Sequence, residues 1–76
     1  MSSVLVREAS YDGRRIALLR CFDADDATVV EAEVLPAGAI QPVRRGPYRF
    51  ASAPEAFRFV QETLLALQYL GCQIPS

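Results

Sequence analysis

The chain contains no histidine, lysine, tryptophan or asparagine. Without histidine it lacks the commonest zinc ligand and the usual general base near neutral pH. A serine nucleophile would depend on a carboxylate, a tyrosine or the α-amino group for activation. The four glycines form no phosphate-cradling loop, and no G-x-S-x-G, P-loop or G-x-G-x-x-G pattern occurs. The expectation is a protein with no catalytic constellation, no cofactor and no metal site.

Cysteine is scarce as well. Cys21 and Cys72 have no paired spacing around them, so they read as small buried hydrophobes rather than a redox or metal pair. The start, Met1-Ser2-Ser3-Val4, shows no basic stretch followed by a long apolar run. No apolar run approaches the ~18 residues that cross a bilayer. A cytoplasmic protein with reduced thiols and no membrane partner is expected.

Charge is nearly balanced at −1, which argues against a strongly electrostatic partner for the whole molecule. All eight cations are arginine. Guanidinium forks that grip phosphates would explain this; so would the codon usage of a GC-rich genome. The many alanines and the absence of asparagine favour codon usage.

What is present describes one small domain, residues 1–76. A single core of this size usually supplies only ~3–5 kcal/mol. With disulfides and metal set aside, oligomerisation remains as the stabiliser.

Asp12-Gly13, lying between two apolar runs, suits a two-residue type I′ hairpin, in which both central positions need positive φ. Taken literally, that turn sets Tyr11 opposite Arg14, Ala9 opposite Ile16, Arg7 opposite Leu18 and Leu5 opposite Arg20. On the other face Ser10 meets Arg15, Glu8 meets Ala17, Val6 meets Leu19 and Val4 meets Cys21. Val4, Val6, Ala17, Leu19 and Cys21 then form a surface on which a helix can lie. Leu5, Arg7, Tyr11, Ile16, Leu18, Arg20 and Phe22 form a mixed face, too apolar for solvent and too charged for a core.

Asp23-Ala24-Asp25-Asp26 is an acidic loop; three aspartates could offer oxygen ligands to a hard cation, but the rest of an EF-hand loop is missing, and a solvated loop is the reading adopted. Residues 28–35 alternate as a third strand, with Val30, Ala32 and Val34 toward the core and Val29, Glu31, Glu33 and Leu35 toward the mixed face. Glu31 and Glu33 share one side of a strand, as paired catalytic carboxylates would. Arg20 and Arg7 across the sheet make structural ion pairs the preferred reading, each worth ~0.2–1 kcal/mol. Pro36-Ala37-Gly38 breaks the strand, and Pro42 and Pro47 keep residues 36–47 out of any central strand. Tyr48-Arg49-Phe50 reads as a short edge strand.

A long helix follows, from Ser52 to Gly71. Ser52-Ala53-Pro54-Glu55 has the form of a capping box, and Gly71 supplies a left-handed stop. At 100° per residue, Ala66, Phe59, Leu70, Thr63, Ala56, Leu67, Val60, Leu64 and Phe57 fill about half the circumference, wider than the ~100° stripe of a typical surface helix. Leu65 and Tyr69 lie opposite, beside Arg58 and Glu62. The expected fold is therefore α+β: an antiparallel meander of three to four strands with one long C-terminal helix on one face.

The segment Val43-Arg44-Arg45-Gly46-Pro47-Tyr48-Arg49-Phe50 is locally basic with aromatics interleaved; no acid occurs between Glu33 and Glu55. Arg44, Arg45, Tyr48 and Arg49 are candidate contacts to single-stranded nucleic acid if Tyr48 and Phe50 point outward beside Arg20 and Phe22. Alternation puts Tyr48 and Phe50 on one side and Arg49 on the other, which suits the reading in which both aromatics seal the core beneath the helix while Arg44, Arg45 and Arg49 stay in water. The order of four strands and a helix resembles the half-repeat of Pur-alpha-like and Whirly-like single-strand binders. That resemblance is one of topology, and it implies a fold completed by pairing.

Together these features point to a self-associating interaction module, with itself as the first partner, another protein as a second and nucleic acid as the alternative. The candidate interface residues are Leu5, Arg7, Ile16, Leu18, Arg20 and Phe22 on the mixed sheet face, with Leu65 and Tyr69 on the helix.

Overall fold

Asp12 and Gly13 adopt φ of 55° and 77°, the positive values that a type I′ hairpin demands. The turn joins β1 (Ser3–Tyr11) to β2 (Arg14–Ala24). The structure, a computed structural model, describes residues 3–36 and 38–75, with the backbone alone for Ser3 and Val4. Among these residues the chain forms four strands and one helix, the others being β3 (Ala27–Val34), β4 (Val43–Phe50) and α1 (Ala53–Tyr69). The sheet is an antiparallel meander in the order β1-β2-β3-β4, and α1 packs on one of its faces. This is an α+β fold.

The expected register holds next to the turn and then slips. Tyr11 pairs with Arg14 and Ser10 with Arg15, but Ala9 pairs with Ala17. Ile16 is thus an extra residue in β2, a β-bulge, and a second irregularity between Ser3 and Leu5 returns the strands to the original register at Ser3 and Phe22. Between the two bulges each β1 residue is displaced by one against β2, which exchanges the faces of β1. Leu5, Arg7 and Ala9 stand opposite Cys21, Leu19 and Ala17 on the helix side, while Val6 and Glu8 stand opposite Arg20 and Leu18 on the other. The placement of Val6 on the core face, and of Leu5 and Arg7 on the mixed face, is corrected by this slip. The side chain of Val4, expected on the core face, lies outside the described residues.

The β2–β3 register follows from a two-residue turn between Ala24 and Ala27, with Asp25 at φ 40°. Strand β4 is longer than the expected residues 48–50. It keeps Pro47 because it is an edge strand and because the ladder to β3 is interrupted between Val30 and Ala32, where Gly46 and Pro47 fall. Gly46 is required there: it has φ 91°, and a Cβ would stand 3.0 Å from both the Tyr48 nitrogen and the Val30 carbonyl oxygen. In the expected break at Pro36-Ala37-Gly38, Ala37 lies outside the described residues; β3 ends at Val34.

The core comprises Leu19, Cys21, Val30 and Ala32 from the sheet and Ala56 and Val60 from the helix, with Leu5, Phe50, Phe59 and Leu64 packed against it. Ser52 is the N-cap in extended conformation, but its side chain makes no capping bond. The expected capping box is therefore not formed. Pro54 lies in the first turn and has no N–H to donate, so fewer donors need a side-chain partner. At the other end the Gly71 N–H donates to the Gln68 carbonyl at 2.9 Å and the Cys72 N–H to the Leu67 carbonyl at 3.0 Å. With Gly71 at φ 101°, this is the Schellman closure. The chain then passes β1, where Ser10 and Gln73 exchange both backbone hydrogen bonds.

Candidate interaction surface

A sheet with a helix on one side presents its other side to solvent, and no described element covers it. Its centre is formed by Leu18 and Phe22 on β2 and Val29 on β3, with Ile16 at the bulge. Val6, brought to this face by the register slip, is 46% exposed. Leu18, Phe22 and Ile16 are half-buried among their strand neighbours, and Val29, between register partners Phe22 and Arg49, is buried.

Charge is distributed around this apolar strip. Arg15 pairs with Glu8 at 3.5 Å, Arg44 with Glu33 at 3.7 Å, and Arg49 with Asp26 at 3.2 Å. All three pairs are partly or largely exposed, so they guide register more than they stabilise. Arg20 stands opposite Glu31 in the ladder, as expected. Among the described residues, Arg20 and Arg45 make no ion pair within 4.0 Å. Both line a cleft of about 240 Å³ with Leu18, Glu31, Arg44 and Pro47. Arg7, expected near Glu31, is instead on the helix side, where its guanidinium donates to the Val6 carbonyl at 2.8 Å.

The aromatic platform considered for nucleic acid does not assemble. Tyr48 and Phe50 turn toward the helix, their rings 5.1 Å and 5.2 Å from that of Phe59. Thr28 and Val30, their partners in the ladder, are on the same helix side. Of the aromatic residues named for the platform, Phe22 is the one left on the open face beside Arg20.

Leu65 and Tyr69 are on the solvent side of α1, at 58% and 91% exposed. They are therefore remote from the mixed sheet face and cannot belong to one continuous patch with it. Phe57, Ala66 and Leu70, all within the apolar arc of the helix, are exposed too. The buried stripe is narrower than the apolar one because one helix rests on the sheet and nothing described flanks it.

The acidic loop has structural engagements: the Thr28 hydroxyl donates to Asp23 at 3.4 Å, and Asp26 pairs with Arg49. Among the described residues, no three histidine, cysteine, aspartate or glutamate side chains cluster as a metal set would. Cys21 is fully buried. Burial, followed by the nearby charge of Asp23, pushes its thiol above its ordinary value of 9.0, so the thiolate needed for redox or metal chemistry is disfavoured. No helix among the described residues is long and apolar enough to cross a membrane.

Two features escaped the sequence reading. One is Val6 on the open face. The other is a shallow cleft between β1 and α1, lined by Leu5, Arg7, Phe57, Val60, Gln61 and Leu64. Both depend on the bulge at Ile16, for which alternation carries no signal.

No protein-family model, curated protein or solved structure matches the chain.

Proposed function

We propose that this protein is a self-associating, non-catalytic interaction module that presents the open side of its sheet to a partner. The observation carrying this reading is the sheet covered on one face only, with Leu18, Phe22, Ile16 and Val6 left among arginines and glutamates on the other. Mixed apolar and charged surface of this kind is what a protein contact uses: the apolar groups supply burial and the charges supply register. Self-association follows from size. A core whose fully buried large side chains are Val30, Val60 and Cys21 is small, and each further large apolar group taken from water adds up to ~1.5–3 kcal/mol.

Sedimentation velocity over a concentration series tests the reading. A dimer that forms by high micromolar concentration is expected; a monodisperse monomer throughout would remove it. The nucleic-acid alternative retains Arg20, Arg44 and Arg45 around one cleft but lacks its aromatic platform. It would be revived by binding to a single-stranded oligonucleotide that weakens with salt and with Arg44→Ala/Arg45→Ala.

A further inference from the structure

Both edges of the sheet are obstructed. On β4, Pro47 has no N–H and the ladder is interrupted at Gly46 and Pro47. Along β1, Gln73 takes both outward backbone groups of Ser10, and the Arg7 guanidinium occupies the Val6 carbonyl. Pro75 lies beside Val6, Arg7 and Glu8. With α1 on one face, the open face is the part of the sheet left for a large contact.

The register orders that face into rows. Ile16 and Leu35 form one row, joined by a hydrogen bond from the Leu35 N–H to the Ile16 carbonyl at 2.8 Å. Leu18 and Glu33 form the next, then Arg20 and Glu31, then Phe22 and Val29. The outer strands extend these rows, with Glu8 beside Leu18, Val6 beside Arg20 and Arg44 beside Glu33. Gly46 and Pro47 fall opposite Glu31.

Arg20 and Glu31 are adjacent in the ladder, yet among the described residues neither joins an ion pair within 4.0 Å. On the solvent side of α1, by contrast, Arg58 is already paired with Glu62 at 3.2 Å. The open face therefore carries one unanswered charge of each sign at its centre.

We propose that two copies of this chain pack open face to open face, about a two-fold axis running between β2 and β3 along the strands. This rests on the self-association reading and names the occupant of the open face, a second copy. Such an axis lays each β2 residue over the β3 residue of the same row in the other copy. Arg20 of each copy then meets Glu31 of the other, giving two symmetric ion pairs. Ile16 meets Leu35, and Phe22 meets Val29; Val29 is buried already, so the burial gained there is that of Phe22. Leu18 falls over Glu33, whose carboxylate is held by Arg44 at 3.7 Å. At the flanks Glu8 faces Arg44, and the exposed Val6 faces Gly46 and Pro47.

Other two-fold axes fail on charge. An axis across the strands through Arg20 and Glu31 sets each group on its own copy, like on like. One placed half a row toward Leu18 sets Glu31 on Glu33. One placed half a row toward Phe22 leaves Arg20 and Glu31 over apolar groups, stripped of water and without partners. The strand-parallel axis also suits packing, since sheets stacked face to face keep their strand directions within about 30°. Four strands about 4.8 Å apart and four rows about 7 Å apart cover roughly 500 Å² per copy. The total of about 1,000 Å² is where a specific interface begins.

The test is charge-swap complementation read by sedimentation. Wild type is expected to dimerise. Arg20→Glu sets a carboxylate against Glu31 of the other copy, and Glu31→Arg sets a guanidinium against Arg20. Each variant alone is expected to dimerise about tenfold or more weakly than wild type. Mixed in equal amounts, the two are expected to form a heterodimer, because each reversed group meets its opposite across the interface. Leu65→Asp, on the solvent side of α1, is expected to leave the dimer intact. Single variants that dimerise as wild type does, a mixture that stays monomeric, or a dimer lost in a folded Leu65→Asp would each overturn the face-to-face arrangement and leave self-association standing. Should a charge variant fail to fold, wild type decides through a mixture of isotope-labelled and unlabelled protein. A filtered NOE between Ile16 and Leu35 methyls of different copies supports the arrangement, and its absence in a dimer overturns it. A wild-type monomer would overturn both readings.

Discussion

Gly46→Ala measures how closely β4 approaches β3 at the interruption that accommodates Pro47. Two costs add at this position. Gly46 has φ 91°, in the left-handed region where a side chain costs roughly 1–2 kcal/mol. The new Cβ would also stand 3.0 Å from the Tyr48 nitrogen, 3.0 Å from the Val30 carbonyl oxygen and 3.1 Å from the Tyr48 ring. Two of these neighbours are backbone atoms held in the sheet and cannot simply rotate away. Overpacking of this kind costs about 1–3 kcal/mol, giving a total of roughly 2–5 kcal/mol. That is comparable with the ~3–5 kcal/mol a core of this size supplies, so the variant should be largely unfolded or close to it at 25 °C.

Gly13→Ala is the internal control. Gly13 has a similar φ of 77°, but a Cβ there meets nothing within 4 Å, so the conformational cost of about 1–2 kcal/mol stands alone. Urea unfolding followed by circular dichroism, with the slope checked for constancy, would compare the two variants. Gly46→Ala should lose about 1–3 kcal/mol more than Gly13→Ala, the overpacking share of its cost. Equal losses would show that β4 does not press on β3 at this point, and the account of how Pro47 fits the sheet would fail.

Two further outcomes test the core and its buried thiol. Val60→Ala, at 2% exposed, should cost about 1.5–3 kcal/mol, whereas Leu65→Ala on the same helix, at 58% exposed, should stay within about 0.5 kcal/mol; equal losses by urea unfolding would mean that α1 is rotated on the sheet. Because burial holds the folded Cys21 thiol above its ordinary 9.0, the protonated form is favoured in the native state. Its contribution to stability should be intact below pH 9.0 and be lost as pH rises from there through the raised native value. Cys21→Val should reduce that alkaline loss, and an unchanged pH slope would contradict it. In the native protein Cys72 should react with a thiol reagent well before Cys21.

Much of the fold was legible because its signals are local. Asp12-Gly13 specifies a hairpin through the positive φ of two adjacent residues, whatever else the chain does. Gly71 closes the helix in the same way. Pro42 and Pro47 marked residues 36–47 as unfit for a central strand, but that Val43–Pro47 join an edge strand depended on the interruption at Gly46. The interaction surface was less legible because it turns on one residue. Strand β1 carries apolar groups on both parities, Val4 and Val6 on one and Leu5 and Ala9 on the other. Either set could face the helix, so alternation could not decide between them. Tyr48 and Phe50 posed a similar choice, since adding them to a basic platform and docking them on Phe59 obey the same alternation.

The sequence by itself determined an α+β meander ending in a helix, because turns, breaks and caps are read over a few adjacent residues. Tertiary structure decided which side of β1 is buried. The bulge at Ile16 brings Leu5 and Ala9 beneath the helix side and sends Val6 and Glu8 outward, a one-residue displacement that reverses the face of every side chain between the bulges. Only packing across the assembled sheet can choose between two registers whose local patterns are equally apolar. That choice leaves Val6 exposed on the side of the sheet away from the helix.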